Sequence, residues 1–97
     1  MVKHVVMFRL QGDEAECRAA ALAFKEAIEA LPAVIEPLQR VTVGLNENPA
    51  EQWHIVLIAD LPTLADVALY SQHPAHLAAA SLLTPVKSAR ACVDFTY

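Results

Sequence analysis

The sequence predicts a single α+β domain, a four-stranded antiparallel sheet with helices on one face. Three observations carry this. The 97 residues leave room for one hydrophobic core and no second. Strand-like and helix-like stretches alternate as strand, helix, strand, strand, helix pair, strand. The first and third strands carry apolar residues on both faces, which a strand with one solvated face does not. Two strand–helix–strand units in this order describe a split β-α-β protomer of the ferredoxin-like kind. The first strand then lies between the third and fourth.

Val2 to Leu10 alternates with a period of two. His4, Val6, Phe8 and Leu10 point one way, and Lys3, Val5, Met7 and Arg9 the other. Gly12-Asp13 turns the chain, and Asp13 with Glu16 has capping-box spacing. A helix is expected over Glu14 to Leu31. Cys17, Ala21, Phe24, Ile28 and Leu31 form its apolar stripe, the charged residues its solvated face, and Pro32 its stop. Ile35 to Asn46 reads as the second strand, ragged at Pro37, with Val41, Val43 and Leu45 on one face. Asn46-Glu47-Asn48-Pro49 is turn chemistry. Trp53 to Asp60 reads as the third strand, with Trp53, Ile55, Leu57 and Ala59 opposite His54, Val56, Ile58 and Asp60. Thr63 and Asp66 cap a second helical region. It breaks at His73-Pro74, resumes to about Leu83 and ends at Thr84-Pro85. Ser88 to Tyr97 is the last strand, with Ala91, Val93, Phe95 and Tyr97 sharing a side.

Composition bounds the function. The chain is 56% hydrophobic and 19% charged, more apolar surface than a small monomer hides well, so self-association is expected. Val5, Met7, Trp53, Ile55 and Leu57 are the expected bare sheet face, covered by a second copy. Two glycines exclude a Gly-rich phosphate loop. A net charge of −4 with scattered Lys and Arg argues against nucleic acid. No apolar run spans a membrane, and no signal-peptide core is evident. Cys17 and Cys92 are far apart with no C-x-x-C spacing, so both are expected as reduced, unlinked thiols of a cytoplasmic protein.

The chemistry concentrates in Tyr70-Ser71-Gln72-His73-Pro74-Ala75-His76, which holds two of the four histidines and one of the two tyrosines. Pro74 suits the first position of a new helix, where its missing N–H costs nothing. His73 is then the N-cap and His76 lies in the first turn, where the helix dipole disfavours the imidazolium. A neutral histidine of ordinary pKa is a serviceable general base near neutral pH. His4 and His54 fall in strands expected to be neighbours. Taken singly, each is more often a satisfied core histidine; convergence with His76 and Tyr70 on one cavity favours a site. His73-x-x-His76 has metal-ligand spacing, but no carboxylate completes a shell and there is no H-E-x-x-H pattern, so no metal or other cofactor is expected. Ser71 and Ser81 lack a nucleophile-elbow context.

The chain resembles the stress-responsive A/B barrel domain family, the dimeric α+β barrel proteins. Val2-Lys3-His4-Val5-Val6, Val43-Gly44, Trp53-His54-Ile55-Val56, Tyr70 with His73-Pro74-Ala75-His76, and Val93-Asp94-Phe95 carry the resemblance over nearly the whole length. It implies a ferredoxin-like homodimer closing sheet to sheet into an α/β barrel, with a cavity between sheet and helices. At His4, His54, Tyr70 and His76 the chain resembles the plant polyketide (olivetolic acid) cyclase branch, whose members close a poly-β-keto chain by aldol chemistry. His73 matches the motif without a clear catalytic part. Leu77-Ala78-Ala79-Ala80 departs from that branch. The resemblance implies either a cofactor-free cyclase or lyase acting on a small hydrophobic or aromatic molecule, or a ligand-binding, stress-protective dimer without turnover.

Overall fold

Val2–Leu10 forms β1, and it is paired along both edges. In the computed structural model, which describes residues 1–97, it is followed by α1 (Glu14–Glu29), a 3₁₀ turn (Leu31–Ala33), β2 (Arg40–Leu45), β3 (Ile55–Leu61), α2 (Leu64–Gln72), α3 (Pro74–Ser81) and β4 (Lys87–Thr96). The sheet is antiparallel throughout, in the order β2-β3-β1-β4. This is the ferredoxin-like α+β arrangement, with β1 between β3 and β4 as the element order predicts.

Register decides what each face carries. Val6 sits opposite Leu57 and Phe8 opposite Ile55, while Val43 sits opposite Leu57 on the other side. Directly opposed residues share a face, so Ile55 and Leu57 join Val6, Phe8 and Val43 under the helices. Each is 2% exposed. This corrects the expected bare face: Ile55 and Leu57 are core, and the β3 residues on the open side are Val56 and Ile58. Trp53 precedes the strand altogether. The open face carries Val5, Met7, Val56, Ile58, Val93 and Phe95, an apolar surface no other part of the chain covers. At its end, Asp60 is 8% exposed but not unpaired. It accepts the Tyr97 hydroxyl at 2.6 Å and meets Lys3 Nζ at 3.1 Å. The Tyr97 hydrogen bond, with help from Lys3, holds its carboxyl below the usual range.

The helices dock through the expected stripe. Ala21, Phe24 and Ile28 of α1 are buried, and Phe24 meets Phe8 edge-on with ring centroids 5.4 Å apart. Asp13 caps α1 by accepting the Glu16 N–H at 3.0 Å, and Thr63 and Asp66 complete a reciprocal capping box on α2. Gly12, at φ 117°, supplies the turn a side chain would strain. Two expectations shift. α1 ends at Glu29 and Leu31 belongs to the 3₁₀ turn, because Pro32 prevents the helix continuing. β2 begins only at Arg40. Pro37 cannot donate to a ladder, so Ile35 and Leu38 enter the core from a turn. Lys25 and Glu29 are also more than a solvated face. Lys25 Nζ donates to the Val43 carbonyl at 2.6 Å and Glu29 accepts the Val43 N–H at 3.0 Å. They satisfy the outward backbone groups of an edge strand, the place where sheets otherwise recruit foreign chains.

Leu57→Ala should lower the unfolding free energy by about 2–5 kcal/mol, whereas Leu69→Ala, on the exposed side of α2, should change it by no more than about 0.5 kcal/mol. Urea denaturation followed by circular dichroism checks both; equal losses would contradict the register.

Candidate functional site

Between the sheet and α2–α3 lies a cavity of about 190 Å³. Val6, Phe8, Phe24 and Leu57 make its apolar floor, and His4, Ser71 and His76 its polar wall, with Lys87 and Arg90 also lining it. A larger hollow of about 410 Å³ lies on the open sheet side by the β2–β3 loop, lined by Met7 and Trp53 among others, with Glu51 its one ionisable group. Of the residues expected to share one cavity, His4 and His76 line the smaller one, while Tyr70 packs behind it, wholly buried and outside its lining.

The break between α2 and α3 is an exchange of hydrogen bonds. Pro74 has no N–H for the Tyr70 carbonyl, which takes the His73 N–H at 3.2 Å instead. The Ala75 N–H, which a continuous helix would give to Ser71, goes to His73 Nδ1 at 3.0 Å. The Ser71 carbonyl is thereby free, and His76 Nδ1 donates to it at 2.9 Å. This fixes the tautomer: Nδ1 carries the proton and Nε2 holds a lone pair. Burial is the largest influence lowering the His76 pKa, with the charges of His4, Arg90 and His73 assisting and the Ser71 bond opposing. Burial thus acts in the same direction as the helix dipole expected from sequence. His73 serves as the N-cap.

Tyr70 is fully buried, and its hydroxyl has no hydrogen-bond partner. Its ring lies 4.6 Å from that of His76 and 5.9 Å, edge-on, from that of His4. Burial pushes its phenol far up, so it remains a protonated donor. His4, 3% exposed, donates from Nδ1 to Asp94 at 2.5 Å. Cys92 Sγ is 3.5 Å from His4 Nδ1 and 3.6 Å from Asp94. Burial and the Asp94 charge raise its pKa, so it stays a thiol. Both cysteines are free. His4, Cys92 and Asp94 are the one group of metal-ligand chemistry here, their ligand atoms lying within 4.8 Å of one another. Two ligands of one tetrahedral ion stand about 3.4 Å apart, so the 2.5 Å His4–Asp94 contact is a hydrogen bond and not a preformed metal shell.

The structure brings His4, Tyr70 and His76 together and leaves His54 out. His54 is exposed and precedes β3. Its Nδ1 accepts the Leu10 N–H at 3.0 Å. His4 pairs with Ala59, which puts His54 roughly 17 Å further along the strand at the usual rise. The physical reason is parity: His54 alternates with Ile55, which is core, so it cannot share the helix side. Sequence reading missed Asp94, Cys92, Lys87 and Arg90. The signal was available, because Arg90, Cys92 and Asp94 alternate with the apolar Ala91, Val93 and Phe95. Pairing of Asp94 with His4 puts that polar row on the helix side.

Two outcomes test this geometry. The His76 pKa is lowered on folding, so the unfolded chain binds the proton more readily. The associated stability should be complete above about pH 6.5 and be lost as pH falls through the folded value. His76→Gln should flatten that part of the stability–pH curve measured by urea unfolding. Asp94→Ala should abolish the Nδ1–H tautomer preference of neutral His4, read from long-range ¹H–¹⁵N couplings; an unchanged tautomer would deny the Asp94 contact.

The model of the stress responsive A/B barrel domain matches residues 2–97. A dimeric protein of unknown function and ferredoxin-like fold from Bacteroides fragilis is 45% identical with a TM-score of 0.97, over 99% of this chain and 95% of that one. A ferredoxin-like protein of the same family from Mesorhizobium loti is 17% identical with a TM-score of 0.73, over 99% and 95%. The hydroxynitrile lyase of Passiflora edulis shares the fold at 15% identity and a TM-score of 0.68, over 97% and 90%. No curated protein matches the chain. With nearly its entire length matched, the chain belongs to the stress responsive A/B barrel domain family.

Proposed function

We propose that this chain is a small-molecule-binding homodimer whose cavity, lined by His4 and His76 with the Tyr70 ring packed behind them, performs cofactor-free proton transfer, in the manner of a cyclase or lyase acting on a small aromatic or polyketide-like carbonyl compound. The observation that carries the reading is the Tyr70 hydroxyl, buried without a partner and flanked by two histidine rings. A buried hydroxyl left unpaired costs about 1–3 kcal/mol, and a ligand oxygen would satisfy it.

The chemistry follows from the tautomers. His76 Nε2 takes a proton from carbon next to a carbonyl, while Tyr70 donates to the carbonyl oxygen where negative charge develops. The resulting enolate carbon attacks a second carbonyl of the same molecule. A carbon–carbon bond forms, and the proton held by His76 passes to the new alkoxide. Asp94 holds His4 edge-on to Tyr70 and limits the tyrosine's freedom. The reading is in keeping with the resemblance of the sequence to the plant polyketide cyclase branch at His4, Tyr70 and His76; His54 has no part in this scheme. A second reading, a binding dimer without turnover, draws on the same contacts. The Nδ1 atoms of His4 and His76 are both engaged, as structural histidines commonly are.

The homodimer is supported by the dimeric Bacteroides fragilis relative and by the uncovered sheet face. Burying that face contributes roughly 25 cal/mol per Å² of apolar area. Ile58→Lys should therefore yield a folded monomer by light scattering, and a monomeric parent protein at micromolar concentration would refute the dimer.

Aromatic β-keto acids should move the ring signals of His4 and His76 together in NMR titrations. For a substrate so identified, His76→Ala should cost roughly two to four orders of magnitude in kcat, and Tyr70→Phe less. Ligand binding with no turnover would select the second reading. Failure of both rings to respond would remove the first.

A further inference from the structure

The cavity carries charge of one sign. Lys87 and Arg90 line it, and no Asp or Glu does. The lysines that meet a carboxylate are Lys3, on Asp60, and Lys25, on Glu29, so both cavity cations, exposed at its rim, are outside any ion pair. Arg90 stands opposite Phe8 and Lys87 opposite Leu10, on the side of the sheet that faces the helices. Asp94, on the same strand, is held by His4. α3 contains no acid at all. In a chain of net charge −4, two of the seven basic side chains thus converge, without counter-charge, beside an apolar floor.

We infer that the pocket is selective for a small monocarboxylate. Its apolar body lies on Val6, Phe8, Phe24 and Leu57, and its carboxylate pairs with Lys87 and Arg90. The inference rests on the reading of this cavity as a ligand pocket. A cavity of about 150 Å³ holds benzene, so about 190 Å³ suits one ring or a short chain with a single polar substituent. Arg90 can take both carboxylate oxygens through its planar fork, while Lys87 adds a point charge. A carboxylate so held would sit at the β4 side of the cavity, and the rest of the molecule would extend toward Tyr70 and His76. Lys87 and Arg90 are then specificity-determining residues, separate from the groups that move protons.

Sodium benzoate and benzamide are matched probes, equal in shape and different in charge. Their dissociation constants should be measured by NMR titration of the His76 ring at low salt. Benzoate should bind at least about tenfold more tightly than benzamide, and added salt should narrow that ratio. In the Lys87→Gln/Arg90→Gln variant the ratio should fall to near one with benzamide affinity unchanged. Arg18→Gln, on the exposed side of α1, should preserve the ratio. A thermal melt establishes that each variant is folded. Equal affinity for the two probes would overturn the inference and leave the ligand pocket standing. A benzoate preference that survives the double substitution would overturn it too, since general charge attraction would then be responsible. If neither probe perturbs His76 at millimolar concentration, the inference and the ligand-pocket reading fall together.

Discussion

The pairing of β1 with a strand on each edge is the constraint from which the rest follows. Strand geometry alternates side chains between faces, so fixing Val6 against Leu57 and His4 against Asp94 fixes the contents of both faces at once. A slip of one residue would exchange them. The helix side would then receive Lys3, Val5 and Met7, and the cavity would lose His4, Val6 and Phe8 together. The hydrophobic core and the candidate site are therefore specified by one register. No side chain of the site can be moved to the other face without unmaking the core.

That coupling explains what could be read from the sequence. Element order and the α1 stripe of Ala21, Phe24 and Ile28 were legible because helical periodicity admits one buried face. The helix break was legible because Pro74 has few places to sit. The inward face of β3 was not. Ile55 and Leu57 alternate with Val56 and Ile58, both sets are apolar, and only the pairing with β1 says which one meets the helices. The misplacement of His54 is the same error, since it alternates with Ile55. Alternation in β4 reports which side Asp94 takes, but its partner was hidden for a different reason. Asp94 lies 90 positions from His4 in sequence, and no local pattern reports a contact made across a sheet.

The polarity of β4 is the counterpart of that error. A strand at the sheet edge with Arg90, Cys92 and Asp94 turned toward the helices looks inverted beside β1, whose inward residues after His4 are Val6, Phe8 and Leu10. Its outward residues, Val93 and Phe95, are exposed, and so are the charged side chains of Lys87, Arg90 and Asp94. In an isolated protomer the charges keep their water, and the cost is the apolar side chains that face it. Each face of β4 nonetheless has something further to bind. The inward side has a cavity, and the outward side has the apolar sheet surface of a protein whose relative is dimeric.

The break between α2 and α3 shows how little is needed to make a poised base. A continuous helix would tie the Ser71 carbonyl to the Ala75 N–H, and His76 would then have no fixed tautomer. Pro74 removes one N–H, the His73 ring captures another, and the carbonyl so released orients the His76 ring. Every backbone group in the exchange finds a partner, so the interruption does not leave the unsatisfied helix ends that burial would penalise. The lone polar atom left over is the Tyr70 hydroxyl, one turn before the break. In a segment whose other donors and acceptors are accounted for, an unpaired hydroxyl between two histidine rings is the position where an oxygen from outside the chain fits. Burial keeps Tyr70 protonated and His76 neutral, so a donor and an acceptor of protons stand side by side without neutralising each other. Desolvation leads in setting both states, with neighbouring positive charge assisting at His76.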